Sequence, residues 1–467
     1  MAVNPADSPV FGTLYGSETM RAIFDEHALL QRMLDAEAAL ARVEARLGLI
    51  PHAAAEAITA AARVEALDLS GLPASLRNVG YPVVGLVAAL SRAAGTEAGR
   101  WTHWGATTQD ILDTAVALQV KAGLALLRAD LLHLIAALAE QAAMHRGTVM
   151  AGRTHLQHAL PVTFGLKCAV WLAPLISHVE RLDQLRPRVE LVELGGAAGT
   201  LASLGGKGVA VMAGLAEELA LGVPPLPWHV RREGLAEAVS FLGLLCGSLG
   251  KFATDIILLA QTELGEVAEP HAPGRGSSST MPQKRNPIAA EYVLAAMRTV
   301  QALVPLMQGA MAQDFERATG PWQAEPLALP QAFVLAHGAL RHAMFIAEGM
   351  VVDGVRMRQN LDATGGLIVS EAVMMGLAPL LGRDAAHHAV QAACDRARAD
   401  AIPLATALAA FPDIAARLDA AALAKLTDPA NYLGSTHEFI DRVLEQSRTI
   451  AEAPSPAHAR RSPQDGT

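Results

Sequence analysis

The alternation of apolar and polar positions is that of helices, and in the middle of the chain of long ones. From Ala28 to Leu47 the residues Leu29, Met33, Ala36, Leu40, Val43 and Leu47 recur at spacings of four and three, one helix face, until Gly48 and Pro51 stop the run. Up to about residue 110 such short amphipathic helices alternate with turns. Between Thr108 and about residue 350 the pattern lengthens. Ile111 to His145 and Gly234 to Val267 contain no proline. Pro161 to Leu185 and Ala289 to Gln313 are also long, with Pro174 and Pro305 as points of kinking. Runs of about 25 to 35 residues exceed the usual helix of about 11 to 12 and belong to bundles. Their apolar residues cover most of the circumference, more than one chain can bury, which predicts a core built from several copies. From about Asn360 shorter helices return, separated by Gly365-Gly366, Gly382 and Pro403. The tail from Ala453 is rich in Pro, Ser, Arg and Ala and has the composition of a disordered segment. The expected organisation is an N-terminal helical unit (1–110), a long-helix bundle (111–355), a small C-terminal helical unit (356–452) and a disordered tail (453–467).

Composition supports an all-α class. Hydrophobic residues make up 52% of the 467 positions and charged ones 18%, which excludes general disorder. Only 4% is aromatic, so alanine and aliphatic side chains must do the packing. The net charge of −9 comes with no basic stripe, which argues against nucleic acid as a partner. Phe241 to Leu259 is apolar but interrupted by Lys251, Asp255 and three glycines, and reads as a core helix rather than a membrane span. The N-terminus has neither a basic nor an apolar signal region. Cys168, Cys246 and Cys394 lie far apart without metal or disulfide spacing. These features point to a cytoplasmic protein with no metal and no organic cofactor.

Three polar segments interrupt the apolar pattern. Trp101 to Asp110 ends where a long helix begins, with Thr107 and Asp110 spaced as a capping box. The free N–H groups of a helix start and two threonine hydroxyls suit a carboxylate. Gly152 to Thr163 gathers Arg153, Thr154, His155, Gln157 and His158 just before a helix that Pro161 would open. Gly274 to Pro287 is a glycine- and serine-rich loop running into Met281-Pro282-Gln283-Lys284-Arg285-Asn286-Pro287. A plain linker has no need of that series. Lys284 and Asn286 offer a charge and an amide to a carboxylate, on a loop able to act as a lid.

In order and separation, these segments resemble the three signature regions of the fumarase/aspartase superfamily. The third is close to Gly-Ser-Ser-x-Met-Pro-x-Lys-x-Asn-Pro, with Ser277 in the place of the first glycine and Thr280 at the unrestricted position. The similarity spans roughly residues 10 to 445. It implies a homotetramer with a twenty-helix central bundle, each active site taking one segment from each of three subunits, and a small dicarboxylate or tricarboxylate as substrate. It assigns Ser278, six residues before Lys284, as the base that removes a proton next to a carboxylate. The aci-carboxylate so formed is held by the anion pocket. Thr107, Thr108, Lys284 and Asn286 match carboxylate-binding positions, as do Thr154 and Gln157. His155 matches the histidine that protonates the leaving group, and Glu291, seven residues after Lys284, matches its partner. Arg232, Arg317 and Lys284 are the candidate cations. His103 matches a histidine of the adenylosuccinate branch and is a second candidate acid.

Over the whole chain the resemblance is greatest to bacterial 3-carboxy-cis,cis-muconate cycloisomerases, through Met33 to Glu37, Pro227-Trp228-His229, Ser248 to Phe252, Asn360-Leu361-Asp362 and Tyr432-Leu433-Gly434. The retained pair His155 and Glu291 instead suits an eliminating lyase, because a lactone-forming enzyme needs no strong acid for a nitrogen leaving group. The sequence therefore favours β-elimination from an amino-, N-substituted or nitro-succinate with release of fumarate. Cycloisomerisation is the alternative, and an inactive structural role is disfavoured by the intact residues.

Overall fold

The computed structural model describes residues 4–271, 274–317 and 319–453. The expected tail, apart from Ala453, lies outside them. The amphipathic run near the start forms a helix (α1, Glu26–Arg46) whose first turn is capped by the Asp25 carboxylate, accepting from Ala28 N–H at 2.7 Å. Five long helices follow: α2 (Thr108–Met144), α3 (Phe164–Val189), α4 (Glu233–Leu259), α5 (Ile288–Gly309) and α6 (Pro321–Gly349). They pack as a bundle, α4 against α3, α5 and α6, and α2 against α1, α3 and α6. One hydrophobic core runs through all of them, from Ala6 to Ile440. A separate small core around Val373, Leu377, Val390, Leu404 and Leu408 holds the C-terminal helices together.

The all-α reading holds, with two short ribbons as exceptions. Pro161 does not open a helix. It lies in a strand, because Val149–Thr154 (β1) and Gln157–Thr163 (β2) pair as an antiparallel hairpin with Ala151 opposite Pro161. In a two-stranded ribbon a proline can sit where its missing N–H costs nothing. The helix starts at Phe164 instead, with the Thr163 hydroxyl accepting from Leu166 N–H at 3.1 Å. Likewise α4 ends at Leu259, not Val267. Gly265, at φ 58°, turns the chain into a second ribbon that pairs Val267–Ala268 (β3) with Val351–Val352 (β4).

By length and composition α2 and α4 could each cross a membrane. Here they lie in the shared core, and both carry charged residues that are hydrogen-bonded there, Asp113 on α2 and Asp255 on α4. The bundle leaves Val170, Leu244, Leu306 and Leu327 exposed, one on each of α3 to α6.

Candidate functional site

The N-terminus of α2 forms the best-organised part. The Asp110 carboxylate accepts Thr107 N–H at 2.8 Å, one half of the expected capping box. It also accepts Gly195 N–H (2.8 Å) and Gly196 N–H (3.0 Å), and lies 2.6 Å from His229 Nε2. The Thr107 hydroxyl is not spent on the helix. It accepts from the Arg317 guanidinium at 3.1 Å, while the other Arg317 nitrogen donates to the carbonyls of Gly196 and Ala197. Thus Arg317, 210 positions away, arrives beside Thr107 and Thr108 with no acidic partner among the described residues. His103, in a left-handed conformation (φ 62°), places Nδ1 2.6 Å from Glu37 Oε1 on α1. Burial works to lower the His103 pKa. The charge and hydrogen bond of Glu37, with the charge of Asp110, outweigh it and hold the ring above its usual 6.5.

Beneath this floor runs a buried polar network. Arg232, expected among the substrate cations, is not free to serve as one. It is 1% exposed, and its guanidinium bonds Asp113 at 2.6 and 3.1 Å and Glu325 on the other side at 2.8 Å. Two carboxylates already satisfy it, so its place is structural. Gln109 Nε2 joins Asp113 to the His229 carbonyl, and Trp322 Nε1 donates to Asp113. Glu193, fully buried, is pushed up to about 9 by burial and by the charges of Asp113 and Asp110, and is neutral near pH 7. Asp110, Glu193 and His229 bring ligand-type atoms within 4.8 Å of one another. Asp110 is, however, already surrounded by N–H donors, which marks a hydrogen-bonded carboxylate rather than a cation site.

The second segment is the hairpin tip. Thr154 and Gln157 are the last pair of the ribbon, and His155 and Leu156 form its two-residue turn at φ 51° and 61°. Such a turn favours Asn or Gly, so two side-chain-bearing residues there hold strain. Thr154, His155 and Gln157 are all exposed, and the His155 ring has no hydrogen bond among the described residues. The base of the hairpin is firm. Arg153 pairs with fully buried Glu266 at 2.6 and 2.9 Å, and Asn360 Nδ2 donates to the same carboxylate at 2.8 Å.

The serine loop distinguishes its three serines. Ser277 Oγ donates to the Gly274 carbonyl. Ser279 is exposed, with no side-chain bond among the described residues. Ser278 Oγ accepts two backbone N–H groups, Met281 at 3.1 Å and Thr280 at 3.3 Å. Donors aimed at a hydroxyl oxygen stabilise negative charge on it. The loop is pinched where Asn286 N–H meets the Gly276 carbonyl at 2.9 Å. Gly276 has φ 68°, and a Cβ there would meet that carbonyl's neighbour, Asn286 O, at 2.7 Å. Arg275 lies 3.9 Å over the Phe345 ring. Lys284 and Glu291 are exposed, Glu291 in the first turn of α5. That helix start is capped by Glu269, which accepts from Ala289 and Ala290 N–H.

One chain therefore joins His103, Thr107, Thr108 and Arg317 at one corner. No hydrogen bond or ion pair among the described residues links that corner, the His155 tip and the Ser278 loop, and His155 does not meet Glu291. Sequence reasoning missed Glu37, Asp113, Glu193, Glu266, Glu269 and Glu325. The signal for Glu37 was present, an acid within an apolar helix stripe.

The comparisons agree with this architecture. Residues 15–302 match the family model described as lyase, and residues 366–443 match that of the adenylosuccinate lyase C-terminus. The chain is 46% identical to a 3-carboxy-cis,cis-muconate cycloisomerase of Pseudomonas aeruginosa, over 96% of this chain and 98% of that one. It is 42% identical to a nitrosuccinate lyase of Streptomyces davaonensis, over 94% of each. The crystal structure of a 3-carboxy-cis,cis-muconate lactonizing enzyme from Pseudomonas putida superposes with a TM-score of 0.92 at 46% identity, covering 95% of this chain and 100% of that one. This chain belongs to the fumarase/aspartase superfamily and is an enzyme of its lyase and cycloisomerase group.

Proposed function

We propose that the enzyme is a cycloisomerase that closes a carboxylated muconate, of the 3-carboxy-cis,cis-muconate type, to its lactone. End-to-end similarity to the Pseudomonas cycloisomerase carries this reading, which reverses the preference drawn from the sequence. In the forward direction one terminal carboxylate oxygen of the substrate bonds to a carbon of the double bond conjugated with the other terminal carboxylate, closing a five-membered ring. The displaced electron pair forms an aci-carboxylate, and the adjacent carbon takes a proton from Ser278. One carboxylate becomes an ester, so one proton is consumed overall. The two N–H groups on Ser278 Oγ support the alkoxide left behind. Thr107, Thr108 and Arg317, with Lys284, Asn286, Thr154 and Gln157 from the other segments, hold the carboxylates. No hydrogen bond or ion pair among the described residues joins the three segments in one chain, and on this reading the site is completed by other copies, as a homotetramer. Light scattering is expected to give four chains; a monomer would contradict this.

The second reading is a lyase that expels an amine or nitro group from a substituted succinate. His155 and Glu291 favour it. An amine leaves poorly without a proton, which His155 would supply, whereas a carboxylate is a weak base and leaves or adds without an acid. Both readings use the same proton transfer at carbon. A substrate panel tests them: loss of carboxymuconate absorbance marks lactonisation, and a rise in fumarate absorbance marks elimination. Turnover of succinates without any of carboxymuconate would overturn the first reading.

A further inference from the structure

The floor of the candidate site contains a charge that the packing of α1 does not require. Glu37 lies on the buried face of that helix, among Met33, Leu34, Ala36, Leu40 and Ala41, and is 2% exposed. A carboxylate in such surroundings is costly unless paired, and a leucine would fill the space. Among the described residues its Oε1 has one partner, His103 Nδ1, and its Oε2 has none. Glu44, seven residues on and on the same face, has neither oxygen partnered among the described residues. Among the described residues the charged and titratable groups that act on the pair are Glu44 on α1 and Asp110 on α2, and Arg317 stands beyond them at Thr107. Glu44 is pushed up to about 9 by burial and by the charge of Glu37, so it is neutral and attracts no counter-ion. Asp110 is satisfied by its own donors. That leaves His103 as the counter-ion of Glu37.

The geometry of His103 fits that role. Its backbone is held at φ 62°, a conformation uncommon for a side-chain-bearing residue, and this turns the ring onto Glu37. The side chain is 20% exposed, and Nε2 has no partner among the described residues. With Nδ1–H donating to Glu37, Nε2 is an acceptor in the neutral ring and becomes a donor for an anionic ligand only in the imidazolium.

We propose that Glu37 is a positioning residue that keeps His103 an imidazolium, so that its Nε2–H binds one carboxylate of a polycarboxylate substrate beside Thr107, Thr108 and Arg317. With Arg317 the corner then holds two cations and a helix N-terminus, more than one carboxylate needs. It therefore suits a substrate with two carboxylates at this end. The inference rests on the reading of that corner as a substrate pocket.

The test uses the whole enzyme, with Glu37→Gln, Glu37→Asp and Glu37→Leu. Binding of fumarate and of citrate is measured by titration calorimetry between pH 5.5 and 8.5, and KM and kcat are measured on whichever panel substrate turns over. Loss of a charge-assisted hydrogen bond is expected to weaken citrate binding and raise KM about tenfold to a hundredfold at pH 8 in Glu37→Gln, with kcat much less changed. Without Glu37 the ring loses its proton at lower pH, so the defect should shrink as the pH falls towards 5.5. Glu37→Asp should restore part of the affinity. Glu37→Leu should match Glu37→Gln in binding while leaving thermal stability equal or higher. A defect of equal size at every pH, or none, would overturn the role of Glu37 and leave the pocket standing. Failure of either acid to bind the unaltered enzyme at any pH would overturn the pocket itself, and the proposal with it.

Discussion

The floor beneath Thr107 and the loop around Ser278 are opposite solutions to building a site. In the floor, Arg232, Asp113, Glu325 and Gln109 are buried and joined by hydrogen bonds through Asp113 and Arg232 within one chain. In the loop and at the hairpin tip, Ser278, Lys284, His155 and Glu291 are half-buried or exposed, held by backbone contacts, with most of their side-chain bonds unmade. The first is finished by folding; the second, on the proposed function, is completed by substrate and by other copies. Fixed charges are worth most when they need not reorganise during the reaction, whereas groups that move protons must approach and leave their substrate.

If that contrast is right, the loop should fail in catalysis and the floor in stability. The largest effect is expected from Ser278→Ala, a loss in kcat on the order of a hundredfold to ten-thousandfold with an unchanged melting temperature; retained turnover would remove Ser278 from the chemistry. Arg232→Met should leave two carboxylates buried without their cation and destabilise the fold by about 3–5 kcal/mol, read by urea unfolding. A rise in KM with unchanged stability would instead restore Arg232 as a substrate cation. His155→Gln sharpens the choice between reactions. Lactonisation should fall less than about tenfold, while elimination of an amine should fall by a factor on the order of a hundred or more.

The change that is smallest at any single pH step is a slope. Glu44 keeps its proton in the folded state up to about pH 9, whereas the unfolded chain releases it near 4.5. Folding stability is therefore intact below about pH 4.5 and falls across that window, by at most about 1.4 kcal/mol per pH unit from this group. Glu44→Gln should flatten that part of the stability profile in chemical denaturation measured from pH 5 to 9. An unaltered profile would mean that Glu44 is ionised in the folded protein.

The loop was more legible than the floor. Its residues are contiguous, and the six-residue step from Lys284 back to Ser278 can be counted; the structure adds that Ser278 alone of the three serines accepts two N–H groups. Arg317 was named as a cation without a location, and Arg232 was given the wrong partner. The missing location and the wrong partner have one cause. A guanidinium reads the same in a sequence whether it faces a ligand or two buried carboxylates, and Asp113 and Glu325 are 119 and 93 positions from Arg232. The hairpin was missed because Pro161 is as compatible with a strand in a narrow ribbon as with a first helical turn, and only pairing with Ala151 decides.

By itself the sequence determined the helical class, the long central helices and the identity of the three polar segments. Those follow from periodicity and local spacing, which act over a few turns. Tertiary structure alone decided which charges are free and which are spent. It turned Glu37 onto His103, bound Arg317 to Thr107, and enclosed Arg232 between two carboxylates. Such pairings depend on burial and on partners brought together from distant parts of the chain, where the cost of an unpaired charge selects a single arrangement.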